Sequence, residues 1–206
     1  MSEPADVPCL PYDEVRHLIR NGDLLLCQGR SSFARLIQLA TGSPWSHVGI
    51  LLRHEEIDRI FALESVESVG CQNLPLRKYV DNYDQTGCGY PGRVFIARHA
   101  QMAGKDAQGL IKFSQEAVDM LGTKYGNKDI GGIALRLIAE HFGAEPRDRV
   151  DNKTLICSEF AALCFASIGI TIEYNRLNYI APDDFARCED VHRLWEIAVV
   201  PAKDRL

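Results

Sequence analysis

The sequence has no long apolar run, no surplus of positive charge and no closely spaced cysteine pairs. No window of its 206 residues approaches the roughly 20 apolar residues that cross a bilayer as a helix. Stable membrane insertion is therefore not expected. The opening MSEPADVPCLPYDEV lacks a basic segment followed by an apolar stretch, so the expectation is a soluble, cytoplasmic protein that is not exported. A formal net charge of -5 gives no electrostatic reason for nucleic acid or an anionic membrane as partner. Seven cysteines are an odd number and include no C-x-x-C, which fits reduced thiols better than a disulfide framework. The six histidines are scattered, none at ligand spacing from a cysteine, so neither metal nor cofactor is expected. G-x-S-x-G, P-loop and H-E-x-x-H patterns are missing as well, which removes the common serine-hydrolase, nucleotide-binding and zinc-protease signatures.

What is present is a chain 46% apolar and 25% charged, enough for one sizeable core. Residues 1–11 carry three prolines and read as a flexible arm, with a single domain over 12–206. A short helix is expected over Asp13–Arg20, ended by Asn21-Gly22. GDLLLCQ (22–28) reads as a buried strand, and Ser31 or Ser32 caps a helix FARLIQLAT closed by Gly42. WSHVGILLR (45–53) and IDRIFALESV (57–66) read as an antiparallel hairpin. The mixed stretch 67–92 reads as a loop, RVFIAR (93–98) as a strand, and segments 105–121 and 128–142 as helices. A polar connector leads into a helix at TLICSEFAALCF. One helical turn at Pro182–Arg187 and a strand at RLWEIAVV (193–200) end the chain. Strands followed by helices favour an α+β domain with an antiparallel sheet packed against helices.

Alternation within the hairpin places His47 with Trp45, Gly49 and Leu51, and Glu64 with Ile60, Ala62 and Val66. His47 and Glu64 are the polar exceptions on those faces. A turn centred between Glu55 and Glu56 sets Arg53 opposite Asp58 and His47 opposite Glu64. Directly opposed side chains have Cβ atoms about 5 Å apart, so a carboxylate can hold one imidazole nitrogen and leave the other free to act. A structural pair inside a core gives the same pattern.

Cys157 falls within a turn of a helix start for which Asp151, Asn152 and Thr154 are candidate caps. Unpaired amides and the helix dipole there favour a thiolate and can hold an oxyanion. The alternative is core packing, which is the reading for Cys164 two turns on. The conjunction of cap position, candidate base and orienting acid favours Cys157 as a nucleophile, with backbone amides near Cys157 and Ser158 toward the oxyanion.

The runs GDLLL (22–26), TGSPWSHVGILL (41–52), ALES (62–65), LICSEF (155–160) and APDDFAR (181–187) resemble the circularly permuted branch of the NlpC/P60 papain-like superfamily, the YiiX/YebB-like group. The lecithin:retinol acyltransferase-like proteins are more distant relations. The resemblance implies a permuted papain-like α+β fold and a cysteine hydrolase, an amidase or peptidase. His47 would be the general base, Glu64 its orienting acid and Cys157 the nucleophile. In some members a tyrosine preceding the cysteine contributes to the site; Tyr125 in GTKYG is the candidate for it, with a structural aromatic as the alternative. The expected partner is a small peptide, amide or acyl substrate. Two rivals stay open. One is a lipid acyl hydrolase or acyltransferase, which needs an apolar segment beside the cysteine, for which FARLIQLA is the candidate. The other is a non-catalytic binding module.

Overall fold

The computed structural model describes residues 7–125, 155–173 and 180–201. Among these residues seven strands form one sheet: β1 (Cys9–Pro11), β2 (Asp23–Gly29), β3 (His47–His54), β4 (Arg59–Val66), β5 (Gly70–Pro75), β6 (Gly92–His99) and β7 (Val191–Ala198). Their spatial order is β1-β7-β6-β2-β3-β4-β5. Every neighbouring pair is antiparallel except β1 with β7. The last three residues of the expected loose arm are thus an edge strand, Leu10 pairing with Ile197.

Among the described residues six α-helices accompany the sheet: α1 (Tyr12–Val15), α2 (Ser32–Thr41), α3 (Arg77–Asp81), α4 (Ala107–Asp119), α5 (Cys157–Ser167) and α6 (Pro182–Arg187). The first expected helix splits into α1 and a 3-10 turn over Arg16–Leu18. The second begins as its sequence indicates, Ser31 Oγ accepting from the Ala34 amide at 3.1 Å, and ends at Gly42 with φ of 60°. That left-handed conformation suits glycine. The expected helix 128–142 and the polar connector after it lie outside the described residues.

The central strands are buried on both faces, and strand parity sorts their side chains between two cores. Leu24, Leu26, Val48, Ile50, Leu63, Phe95 and Ala97 face α4, α5 and α6, where Phe113, Phe160, Phe165 and Phe185 complete one core. Leu25, Cys27, Leu51, Ile60, Ala62, Val94 and Ile96 face α1 and α3, packing with Tyr12, Val15 and Tyr79. β2 is buried almost throughout because it lies inside the sheet between these layers.

The stretch 67–92 is a correction to the sequence reading. It holds β5, α3 and a 3-10 turn at Tyr83–Gln85. Its strand, GCQNLP, was not legible because it lies at the sheet edge and lacks apolar alternation.

Candidate active site

The β3–β4 turn occupies residues 55–58, with Asp58 at φ of 48° and its amide donating to the Glu55 carbonyl at 3.1 Å. Its centre lies one residue beyond the expected one. Ile50 therefore pairs with Leu63 and Arg53 with Ile60, a register displaced by two residues from the expected pairing. An even displacement preserves which face each side chain occupies. His47 and Glu64 stay on the same face, and their contact survives as a diagonal: His47 Nε2 lies 2.6 Å from Glu64 Oε2.

Glu64 is fully buried and carries three partners. Tyr79 donates its hydroxyl to Oε2 at 2.5 Å, and Gln72 Nε2 donates to Oε1 at 3.0 Å. Gln72 stands directly opposite on β5 and Tyr79 comes from α3. Both were missed with the stretch that contains them. Burial opposes the Glu64 charge, but the hydrogen bonds and charge of His47, with those of Tyr79 and Gln72, outweigh it and hold the carboxyl below its ordinary value. Burial likewise opposes a charged imidazole. Hydrogen bonding to Cys157 and Glu64, together with their charges, nevertheless pushes the His47 pKa up to about 10.

Because Nε2 is committed to Glu64, Nδ1 is the nitrogen left for the thiol. Cys157 is the first residue of α5, and its helix is capped differently from the expectation. Ile156 holds the N-cap position, and Glu159 reaches back to accept from the Ile156 amide at 3.0 Å. Asp151, Asn152 and Thr154 lie outside the described residues. The approach to the helix is anchored by Ser65, whose hydroxyl donates to the Leu155 carbonyl at 2.6 Å. Ser65 and Glu64 are chain neighbours on opposite faces of β4. One fixes the run into Cys157 and the other fixes His47.

A cavity of ≈ 310 Å³ opens here, lined among others by Cys157, His47, Tyr125, Tyr79, Phe33 and Ile37. Tyr125 is buried, and burial and then the Cys157 charge raise its pKa. It is held near the sheet edge, where the Cys71 amide donates to the Thr123 carbonyl at 2.8 Å and the Leu155 amide to the Lys124 carbonyl at 3.2 Å. Ser158 is turned elsewhere: its hydroxyl donates to the Ile180 carbonyl at 2.7 Å. Only its backbone can serve an oxyanion. Cys164 is core, as expected, and burial raises its pKa.

Among the described residues no group of three or more His, Cys, Asp or Glu side chains is placed to hold a metal ion. No helix among them is long and apolar enough to cross a membrane.

None of the curated proteins matches the chain. Among solved structures it is similar to the one described as metalloprotein yiiX from Escherichia coli O157:H7. That likeness has a TM-score of 0.58 and 18% sequence identity over 84% of this chain and 95% of the other. A shared fold follows. The family model for permuted papain-like amidase enzymes, YaeF/YiiX, C92 family, matches residues 18–203. A histidine held by a buried glutamate beside a cysteine at a helix start and a family match along nearly the whole chain agree: this protein belongs to the permuted papain-like amidases of the YaeF/YiiX family and is a thiol-dependent hydrolase.

Proposed function

We propose that the chain hydrolyses a small amide or peptide through an acyl-enzyme, with Cys157 as nucleophile, His47 as base and acid, and Glu64 as orienter. The observation that carries this reading is that Cys157 and His47 line one cavity while Glu64, buried behind, holds the far nitrogen of the ring. His47 Nδ1 takes the thiol proton and the sulfur attacks the carbonyl carbon. Backbone amides at the start of α5, with the Tyr125 hydroxyl nearby, stabilise the oxyanion. The imidazolium then protonates the leaving nitrogen as its C–N bond breaks, leaving a thioester and a neutral ring. Water, deprotonated by that ring, cleaves the thioester. No step calls on a cofactor. All seven cysteines are free, which supports a reducing, cytoplasmic setting.

The test compares wild type with Cys157→Ser on a panel of peptide amides, with intact-mass detection of the acylated chain. Loss of turnover by about a thousandfold or more is expected. Persistent turnover in Cys157→Ser removes the mechanism. Iodoacetamide labelling of Cys157, mapped by peptide mass, separates an enzyme from a binding module. His47→Ala should slow the labelling, whereas equal rates favour the binding module.

A second reading draws on α2. Of its ten residues only Ala34 is buried. Phe33, Ala34 and Ile37 line the cavity, and Leu39 is 74% exposed. Leu36 and Ala40 lie beside Phe33 and Ile37 at helical spacing. Sharing a cavity with Cys157, α2 supports the reading of an acyl hydrolase or acyltransferase, which needs an apolar segment beside the cysteine. Octanoyl p-nitroanilide should then be cleaved with higher kcat/KM than the acetyl analogue by about tenfold or more. Equal values leave the amidase reading alone.

A further inference from the structure

Two donors converge on one oxygen of Glu64. His47 Nε2 and the Tyr79 hydroxyl both address Oε2, at 2.6 and 2.5 Å, and Gln72 occupies Oε1. Burial and the nearby Glu64 charge keep the Tyr79 phenol protonated, so toward this carboxylate it acts only as a donor. The Tyr79 side chain is fully buried. Its backbone carbonyl accepts from the Tyr90 amide at 2.8 Å, and its ring stands 5.0 Å from that of Tyr83 and 5.4 Å from that of Tyr90. The hydroxyl is held where it is.

A donor that shares an acceptor oxygen draws part of its charge, and less is left to attract the neighbouring imidazolium. His47 then parts with its proton more readily. That proton is what an amide needs, because the leaving nitrogen must be protonated as the C–N bond breaks. A p-nitrophenyl ester, whose phenoxide leaves unprotonated, does not need it. We propose that Tyr79 is a positioning residue that, through the shared oxygen of Glu64, sets how readily His47 protonates a leaving amine and so adapts the site to amides over esters. This inference rests on the hydrolase reading above.

Other titratable groups surround the pair. Cys27 of β2 pairs across from His47, and Cys157 approaches from α5. Tyr83, Tyr90 and Tyr125 line the cavity, with Arg30, Glu67 and Asp84 exposed at its rim. Among the described residues, Tyr79 and Gln72 are the side chains besides His47 that hydrogen-bond to Glu64.

The test measures Tyr79→Phe against wild type on the N-methylamide and the p-nitrophenyl ester of one acyl group, with the His47 titration followed by NMR of its ring Cε1–H. The expected result is a fall of about tenfold in kcat on the amide and less than about twofold on the ester. The His47 titration moves to higher pH. An equal loss on both substrates, or an unmoved titration, overturns the proposal. Should Tyr79→Phe not fold, 3-fluorotyrosine at position 79 keeps the size and donates more strongly, and the titration should move to lower pH; no movement overturns the proposal too. If wild type cleaves neither substrate, the hydrolase reading fails and this inference with it. The titration then reports separately whether Tyr79 acts on His47.

Discussion

Glu64 stands beside Gly49, not opposite His47. Continuing the β3–β4 ladder one residue past Ile50 and Leu63 brings the two together, and a Cβ placed on Gly49 would lie 3.3 Å from the Glu64 Cβ. The carboxylate passes over a position without a side chain to reach His47. The same added Cβ would lie 3.3 Å from the Leu63 carbonyl oxygen and 3.8 Å from Glu64 Oε2.

Gly49→Ala is therefore expected to displace the carboxylate that holds His47. Overpacking of this kind costs about 1–3 kcal/mol. Urea denaturation should show a lower midpoint, and kcat should fall severalfold at a temperature where the fold is intact. A variant with unchanged midpoint and unchanged kcat would show that the room beside Glu64 is not needed.

Glu64→Gln should lower the His47 titration, because the hydrogen bond and charge that oppose burial are weakened. The sign of the stability effect follows from linkage. A ring whose folded pKa is raised from 6.5 to about 10 contributes its stabilisation fully below pH 6.5 and loses it as pH rises toward 10. Glu64, with its pKa lowered, contributes above its unfolded value and loses that contribution in acid. The stability difference between wild type and Glu64→Gln should thus be largest near pH 5.5 to 6.5, by rough reckoning from ordinary side-chain values, and shrink toward pH 10. Urea titrations across that range measure it; a difference that grows with alkalinity contradicts the assignment. Activity on amides should fall about a hundredfold.

Asp183→Ala should weaken the segment that leads into His47. Ser43 Oγ donates to Asp183 Oδ1 at 2.5 Å and accepts from the Trp45 amide at 3.3 Å. Arg187 pairs with the other Asp183 oxygen at 2.7 Å. This ties the run 43–46 to α6 and gives the aspartate of APDDFAR a structural task. Removal of the acceptor leaves a buried hydroxyl unsatisfied, at about 1–3 kcal/mol. A lower urea midpoint is expected, with Asp183→Asn milder because its amide oxygen can still accept.

Much of this site was legible because two signals survive imprecision. Strand parity put His47 and Glu64 on one face even though the turn centre was misplaced by one residue. The error arose at Ile57, whose apolar side chain reads as strand but is 57% exposed in the turn. Asp58 could adopt its positive φ there because a short acid tolerates it. The Cys157 position was readable from the apolar run that follows it, although the cap was not. Capping by Glu159 from inside the helix leaves no polar residue at the N-cap itself. The partners of Glu64 were not readable. Gln72 lies on an edge strand without apolar period, and Tyr79 belongs to a five-residue helix too short to show one.

The adjacency of Glu64 and Ser65 makes β4 unforgiving of insertion or deletion. One residue gained or lost upstream in that strand would exchange their sides of the sheet, turning the carboxylate toward α5 and the hydroxyl toward α3. Imidazole and thiol would lose their supports in a single event, so length changes in homologues should fall in the hairpin turn or near residue 86 and spare 59–66.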